Sequence, residues 1–255
     1  MKFAADFRSI ARDALKGKWK IAVLVGLVAS ILGAIEGMGP EVNLHIDGGS
    51  VDASLKFAGQ TIFSTVNEMK SGLGAFLIGQ FVYIFIAALI MAALYFVLGS
   101  VISVGYAKFN LNLVDRLEGS FEHLFAYFSY WKVAVIARLL KTLYIVLGLI
   151  LLVVPGILSY FNYAMTDYIL AENPELSANE ALRRSKEMMY GNRWRLFCLH
   201  FSFIGWHILA SFTLGIGNLW LNPYIQAANT AFYREVSGTE RLTNLWNEEL
   251  LDVPL

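Results

Sequence analysis

Charged residues are missing from four long stretches of this chain: residues 21–35, 71–107, 142–166 and 196–233. Crossing the hydrocarbon core of a bilayer as a helix takes about 20 apolar residues. The first stretch, IAVLVGLVASILGAI, approaches that length once Trp19 and Lys20 at its edge act as interfacial anchors. The second is 37 residues long, too long for one straight crossing and short for two with a turn. It predicts one tilted span over 76–104 with helix continuing beyond the bilayer. The third predicts a span over 132–153, with Lys132, Arg138 and Lys141 snorkelling from its start.

Pro155-Gly156 then breaks the pattern, because proline lacks an amide donor and glycine tolerates a tight turn. The following ILSYFNYAMTDYILAEN is about 26 Å long at 1.5 Å per residue, enough for a short return span. The fourth stretch splits at LGIGN into spans over 194–213 and 217–235. The expected fold class is all-α: one polytopic membrane domain over 1–255, with six transmembrane helices and amphipathic interfacial helices.

The basic residues test this count, because cytoplasmic segments carry the excess of Lys and Arg. With six spans, eighteen of the twenty fall on one face, and only Lys56 and Lys70 lie on the other. A single kinked crossing at Pro155-Gly156 would put Arg183, Arg184, Lys186, Arg193 and Arg195 outside, against the bias. The chain is therefore expected to turn back there, with both termini cytoplasmic. The expected layout is a cytoplasmic helix over 1–18, an external loop over 36–72, a cytoplasmic loop helix over 172–193 and a cytoplasmic tail over 236–255.

Composition agrees. The 255 residues are 57% hydrophobic and 16% charged, against roughly 25% charged in a soluble domain. Net charge is zero, so clustering of charge matters more than the total. The one cysteine, Cys198, lies in an apolar run and reads as a buried structural thiol. Asp6 and Asp13 in the leading segment do not suit a cleaved signal peptide. There is no internal repeat and no low-complexity tract.

The polar segments carry local signals. Ser177 to Glu180, SANE, is a capping box opening a helix that Gly191 closes. Ala181, Leu182, Ser185, Met188 and Met189 share one face of it, and Glu180–Arg184 and Arg183–Glu187 pair at four-residue spacing. Arg183, Arg184 and Lys186 are expected against the inner leaflet. The N-terminal helix, with Phe3, Phe7, Ile10 and Ala14 on one face, is expected there too. In the outer loop, EVNLHIDGGS alternates around a turn signal, and Leu55, Ala58, Ile62, Phe63, Val66 and Met69 predict an amphipathic helix.

Candidate chemistry is sparse. No phosphate loop, dinucleotide fingerprint, zinc-helix motif or nucleophile elbow is present, and no cofactor is expected. His200 and His207, seven apart, are weak metal candidates, since no carboxylate or cysteine accompanies them on that face. Asn222, Gln226 and Asn229 place three amides on one face of the last span beside Ala227, Ala228 and Ala231. Polar groups in hydrocarbon need a partner, so this face is expected to pack on another helix or to line a cavity, packing being favoured. Ser159, Asn162 and Thr166, followed by Asp167, form a second polar stripe that could face the first.

ARDALKGKWKIAV near the start, and ELSANEALRRSKEMMYGNRWRLF with FIGW and LGIGNLWLNPYIQAANTAFYREVSG later, resemble a bacterial integral-membrane family known as domain of unknown function 975. The resemblance covers essentially the whole chain and is specific over 155–238. That family is distantly similar to the membrane region attached to some glycerophosphodiester phosphodiesterases. Their hydrolase domain and its metal-ligand motif are missing here, so no catalytic residue carries over. The resemblance implies a six-helix protein of the bacterial cell membrane. The expected role is non-enzymatic: a transporter-like module, or a membrane partner subunit of envelope or export machinery. A membrane-embedded enzyme acting on lipid is the alternative. The expected partners are the bilayer and, for a partner subunit, another membrane protein, with no nucleic acid.

Overall fold

The structure, a computed structural model, describes residues 2–34, 41–47, 50–57, 60–68, 74–213 and 215–238. The tail expected over 236–255 lies, beyond residue 238, outside the described residues. The fold is predominantly helical. Helices α1 (Ala4–Leu15) and α2 (Trp19–Ile31) precede three strands, β1 (Glu41–Asp47), β2 (Ser50–Phe57) and β3 (Gln60–Glu68). There follow α3 (Gly74–Val114), two 3-10 turns, α4 (Trp131–Leu151), α5 (Val153–Asn162), α6 (Thr166–Glu172) and α7 (Ala178–Met188). Helices α8 (Arg193–Phe201), α9 (Ile204–Phe212) and α10 (Asn218–Val236) complete the described chain.

The strands correct the expectation of an amphipathic helix over 55–69. They form an antiparallel meander in the order β1-β2-β3, with Asp47 opposite Ser50, Leu55 opposite Phe63 and a register shift at Leu55/Lys56. Thr61, Ile62, Thr65 and Val66 are β-branched, which lowers helix propensity and suits a pleated surface.

Three stretches among the described residues are long and apolar enough to cross a bilayer: Phe85–Val114, Phe121–Leu151 and Arg193–Phe212. The other three expected spans are shorter or more polar. Helix α2 has 13 residues, about 20 Å at 1.5 Å per residue. The return span is divided into α5 and α6, and α10 carries Pro223 and the amide stripe. Large apolar side chains stand exposed along α4 (Leu139, Leu143, Leu147, Ile150) and α9 (Trp206, Leu209, Phe212). Apolar surface on that scale suits lipid, and the protein is membrane-associated.

The reversal after α4 is a hairpin, displaced from where proline and glycine suggested. The chain turns at Leu152, in extended backbone (φ −164, ψ 149), and α5 packs back along α4. Pro155 sits in the first turn of α5, where a missing amide costs nothing. Gly156 serves helix contact: a methyl group added at Gly148 would lie 2.9 Å from the Gly156 Cα.

Between α5 and α6 the helix breaks over Tyr163–Met165, and a side chain from α7 fills the break. Ser185, fully buried, donates to the Asn162 carbonyl (2.8 Å) and accepts from the Met165 amide (3.2 Å). A polar side chain inserted into the helical ladder is a recognised cause of such a break. The α7 face read from the sequence packs on α4, α5 and α6, so protein rather than lipid covers it. The capping box is half made: Ser177 Oγ accepts from the Glu180 amide (3.3 Å), while the Glu180 carboxylate goes to Arg183 and Arg184.

Helix α10 is central, touching α1, α2, α3, α8 and α9. Its Ala227, Ala228 and Ala231 are buried, as small residues at close helix contacts usually are. Helix α1 lies along α10 and α8, burying Phe7, Ala11 and Leu15, with the Phe7 ring 5.3 Å from that of Phe232. This corrects the expected lipid-facing surface of α1: its apolar face is used within the protein, and Phe3 is left out of it.

A candidate binding cavity between the helices

Polar side chains from six helices converge on one cavity of about 390 Å³, within the range of small-molecule sites. Helix α4 supplies Arg138 and Lys141, one turn apart; α6 supplies Asp167 and Tyr168; α8 supplies His200; α10 supplies Gln226 and Asn229. Tyr106 of α3 also lines it, and its buried hydroxyl has no hydrogen-bond partner among the described residues.

Each charge is held. Arg138 donates through Nη1 to the Gly33 carbonyl just past α2 (2.9 Å), and its guanidinium lies 5.3 Å from the Phe96 ring centre. Lys141 Nζ is 4.0 Å from Asp167 Oδ2, an ion pair at the limit of contact. These contacts correct the snorkelling expected of Arg138 and Lys141: both turn into the protein, where a carbonyl and a carboxylate offset the cost of leaving water.

The amides are oriented by their neighbours. The Tyr168 hydroxyl donates to Gln226 Oε1 (3.2 Å). His200 Nε2 is 3.0 Å from Asn229 Oδ1, and donates to it in the Nε2-protonated tautomer. With both oxygens engaged, each amide turns its NH2 group to the remaining surroundings.

Of the residues singled out in the sequence, Asp167, Gln226, Asn229 and His200 therefore meet in one cavity. Asn222 is half-buried outside its lining; Asn162 meets Ser185 of α7 through its backbone carbonyl, and its side-chain oxygen is buried without a partner among the described residues. His207 is exposed on α9, beyond the turn at Ser202–Phe203 and outside the cavity lining that holds His200. Among the described residues, no three His, Cys, Asp or Glu side chains gather as a metal site would require. Cys198 is only half-buried. Arg183, Arg184 and Lys186 are exposed on α7, but the first two are paired with Glu180, and Arg183 also with Glu187. Arg184 and Arg183 hold the Glu180 carboxyl below its ordinary range.

Sequence reasoning missed Arg138, Lys141, Tyr106 and Tyr168 as lining residues. The available signal was the position of Arg138 and Lys141 inside an apolar helix, where an ionisable side chain points to a functional site by default.

A second polar cluster closes one end of the molecule. Arg234 pairs with Asp115 and with Glu172, and Tyr233 donates to Glu172, joining the ends of α10, α3 and α6. Beside it, Arg195 pairs with Glu235 (2.6 Å) and donates to the Lys2 carbonyl (2.9 Å), adding the starts of α8 and α1.

Residues 141–240 match a family model described as a protein of unknown function (DUF975). The match takes in Lys141 and the α5–α10 part of the cavity, and leaves Arg138 and the N-terminal motif outside. No curated protein and no solved structure matches the chain.

Proposed function

We propose that this chain is a non-enzymatic, multi-pass protein of the bacterial cytoplasmic membrane that binds a small polar solute between its helices, as a transporter-like module does. The cavity carries this reading: charged, imidazole and amide groups from α4, α6, α8 and α10 line one space of ligand size. A partner subunit would instead require a lipid-facing groove.

The six crossings are α2, α3, α4, α5 with α6, α8 with α9, and α10, with both termini inside. Two observations support that count. The α4–α5 hairpin reverses the chain. The ends of α3, α6 and α10 and the starts of α1 and α8 meet at one end through the Arg234 and Arg195 clusters, and these are the ends that the Lys and Arg count assigns to the cytoplasm.

The test is the melting temperature of the protein in mild detergent with a panel of small anions, cations, zwitterions and neutral solutes. A bound solute at a hundred times its Kd stabilises by about 2.7 kcal/mol. At least one class should raise the wild-type melt, and Q226L/N229L should lose that shift. If no class shifts the wild type and the double variant melts lower, the amides only pack and the binding reading falls.

A further inference from the structure

The lining of the cavity is unbalanced in hydrogen-bond type. Arg138 commits one of its five N–H donors to Gly33, and Lys141 touches Asp167 only at 4.0 Å. Gln226 and Asn229 have their oxygens occupied by Tyr168 and His200, which leaves NH2 donors on both amides. Against these, one carboxylate lines the space, and it is the partner of Lys141. Two cations therefore share one anion, and donors outnumber acceptors.

We propose, resting on the solute-binding reading above, that the ligand is an acceptor-rich anion, a carboxylate or a phosphate, held by Arg138 and Lys141 and by the amide NH2 groups of Gln226 and Asn229. Such a group accepts from every donor the lining offers, whereas a cation would meet two like charges and a neutral alcohol would leave them unmatched. The anion can be a soluble molecule or the headgroup of a lipid. Thr142 and Tyr160, the exposed lining residues, stand beside the exposed Leu139, Leu143 and Ile157, so the cavity mouth opens onto apolar surface.

The test compares thermal shifts of the full chain at constant ionic strength. Its probes are inorganic phosphate, acetate, tetramethylammonium, glycerol, and short-chain phosphatidic acid beside short-chain phosphatidylcholine. The variants are K141Q and Q226E/N229D. The double variant keeps the acceptors that Tyr168 and His200 use and replaces the NH2 donors with oxygen, so its ligand-free melt reports whether the fold survives.

Stabilisation of the wild type by phosphate or acetate, with apparent affinity at least tenfold weaker in both variants, supports a soluble anion. Stabilisation by phosphatidic acid but neither by free anions nor by phosphatidylcholine supports a lipid-borne one. Stabilisation by tetramethylammonium or glycerol, without any anion effect, overturns the anion inference and leaves solute binding standing. No shift from any probe overturns it as well, and the wider solute panel then decides the binding reading separately.

Discussion

At the residue scale, spacing identified polar positions but not their use. Ser185 falls on the apolar face of α7 by its four-residue step from Ala181, and it is buried as that face requires. Its hydroxyl, however, serves a carbonyl and an amide at the α5–α6 break. Replacing it with alanine leaves two buried backbone groups unmatched, each worth roughly 1–3 kcal/mol when stranded. S185A should therefore melt well below the wild type in the same detergent, and an unchanged melt would show that the break does not depend on this contact. Arg138 and Lys141 illustrate the converse. Their charge was read correctly, but snorkelling and inward pairing look alike until the partners Gly33 and Asp167, far away in sequence, are in place.

At the element scale, most helices were legible, because long apolar runs and capping signals act within a few residues. The hairpin followed from the apolar runs on either side of Pro155-Gly156, although the turn itself falls at Leu152. The segment over 55–69 failed because six apolar positions fit a helical period while its β-branched residues favour strand, and cross-strand pairing with β2 decided between them. Helix α7 offers a pH test. The folded-state pKa of Glu180 is depressed by Arg184 and Arg183, so its contribution is present above the ordinary carboxylate pKa and is lost as pH falls through the folded value. At neutral pH, E180Q should melt slightly below the wild type, and the gap should close on acidification below the ordinary carboxylate pKa of about 4. A gap that stays constant or widens in acid would mean that the arginine pairs contribute nothing through ionisation.

At the scale of the whole molecule, topology is the property to test. A reporter active only outside the cytoplasm should give signal when fused after residue 60, within the β-meander segment, and none after residue 190, beyond α7. Signal at 190 would contradict both the even number of crossings and the assignment of the Arg234 and Arg195 clusters to the cytoplasmic end. The same pair of fusions also tests whether α2, at 13 residues, crosses at all, since silence at both sites would leave the meander inside.

What the sequence determined by itself was the apolar, membrane-associated character, the helical character and the reversal after α4. All of these depend on composition and on periods of a few residues, which neighbouring side chains enforce locally. Only the tertiary structure decided that α1 spends its apolar face on α10, that the return span breaks around Ser185, and that Asp167, Gln226, Asn229 and His200 share one space with two cations. The direction in which each amide points is settled by Tyr168, 58 positions from Gln226, and by His200, 29 positions from Asn229. A helical period says which residues lie on one face; what that face meets depends on how helices rotate and pack against partners remote in the chain.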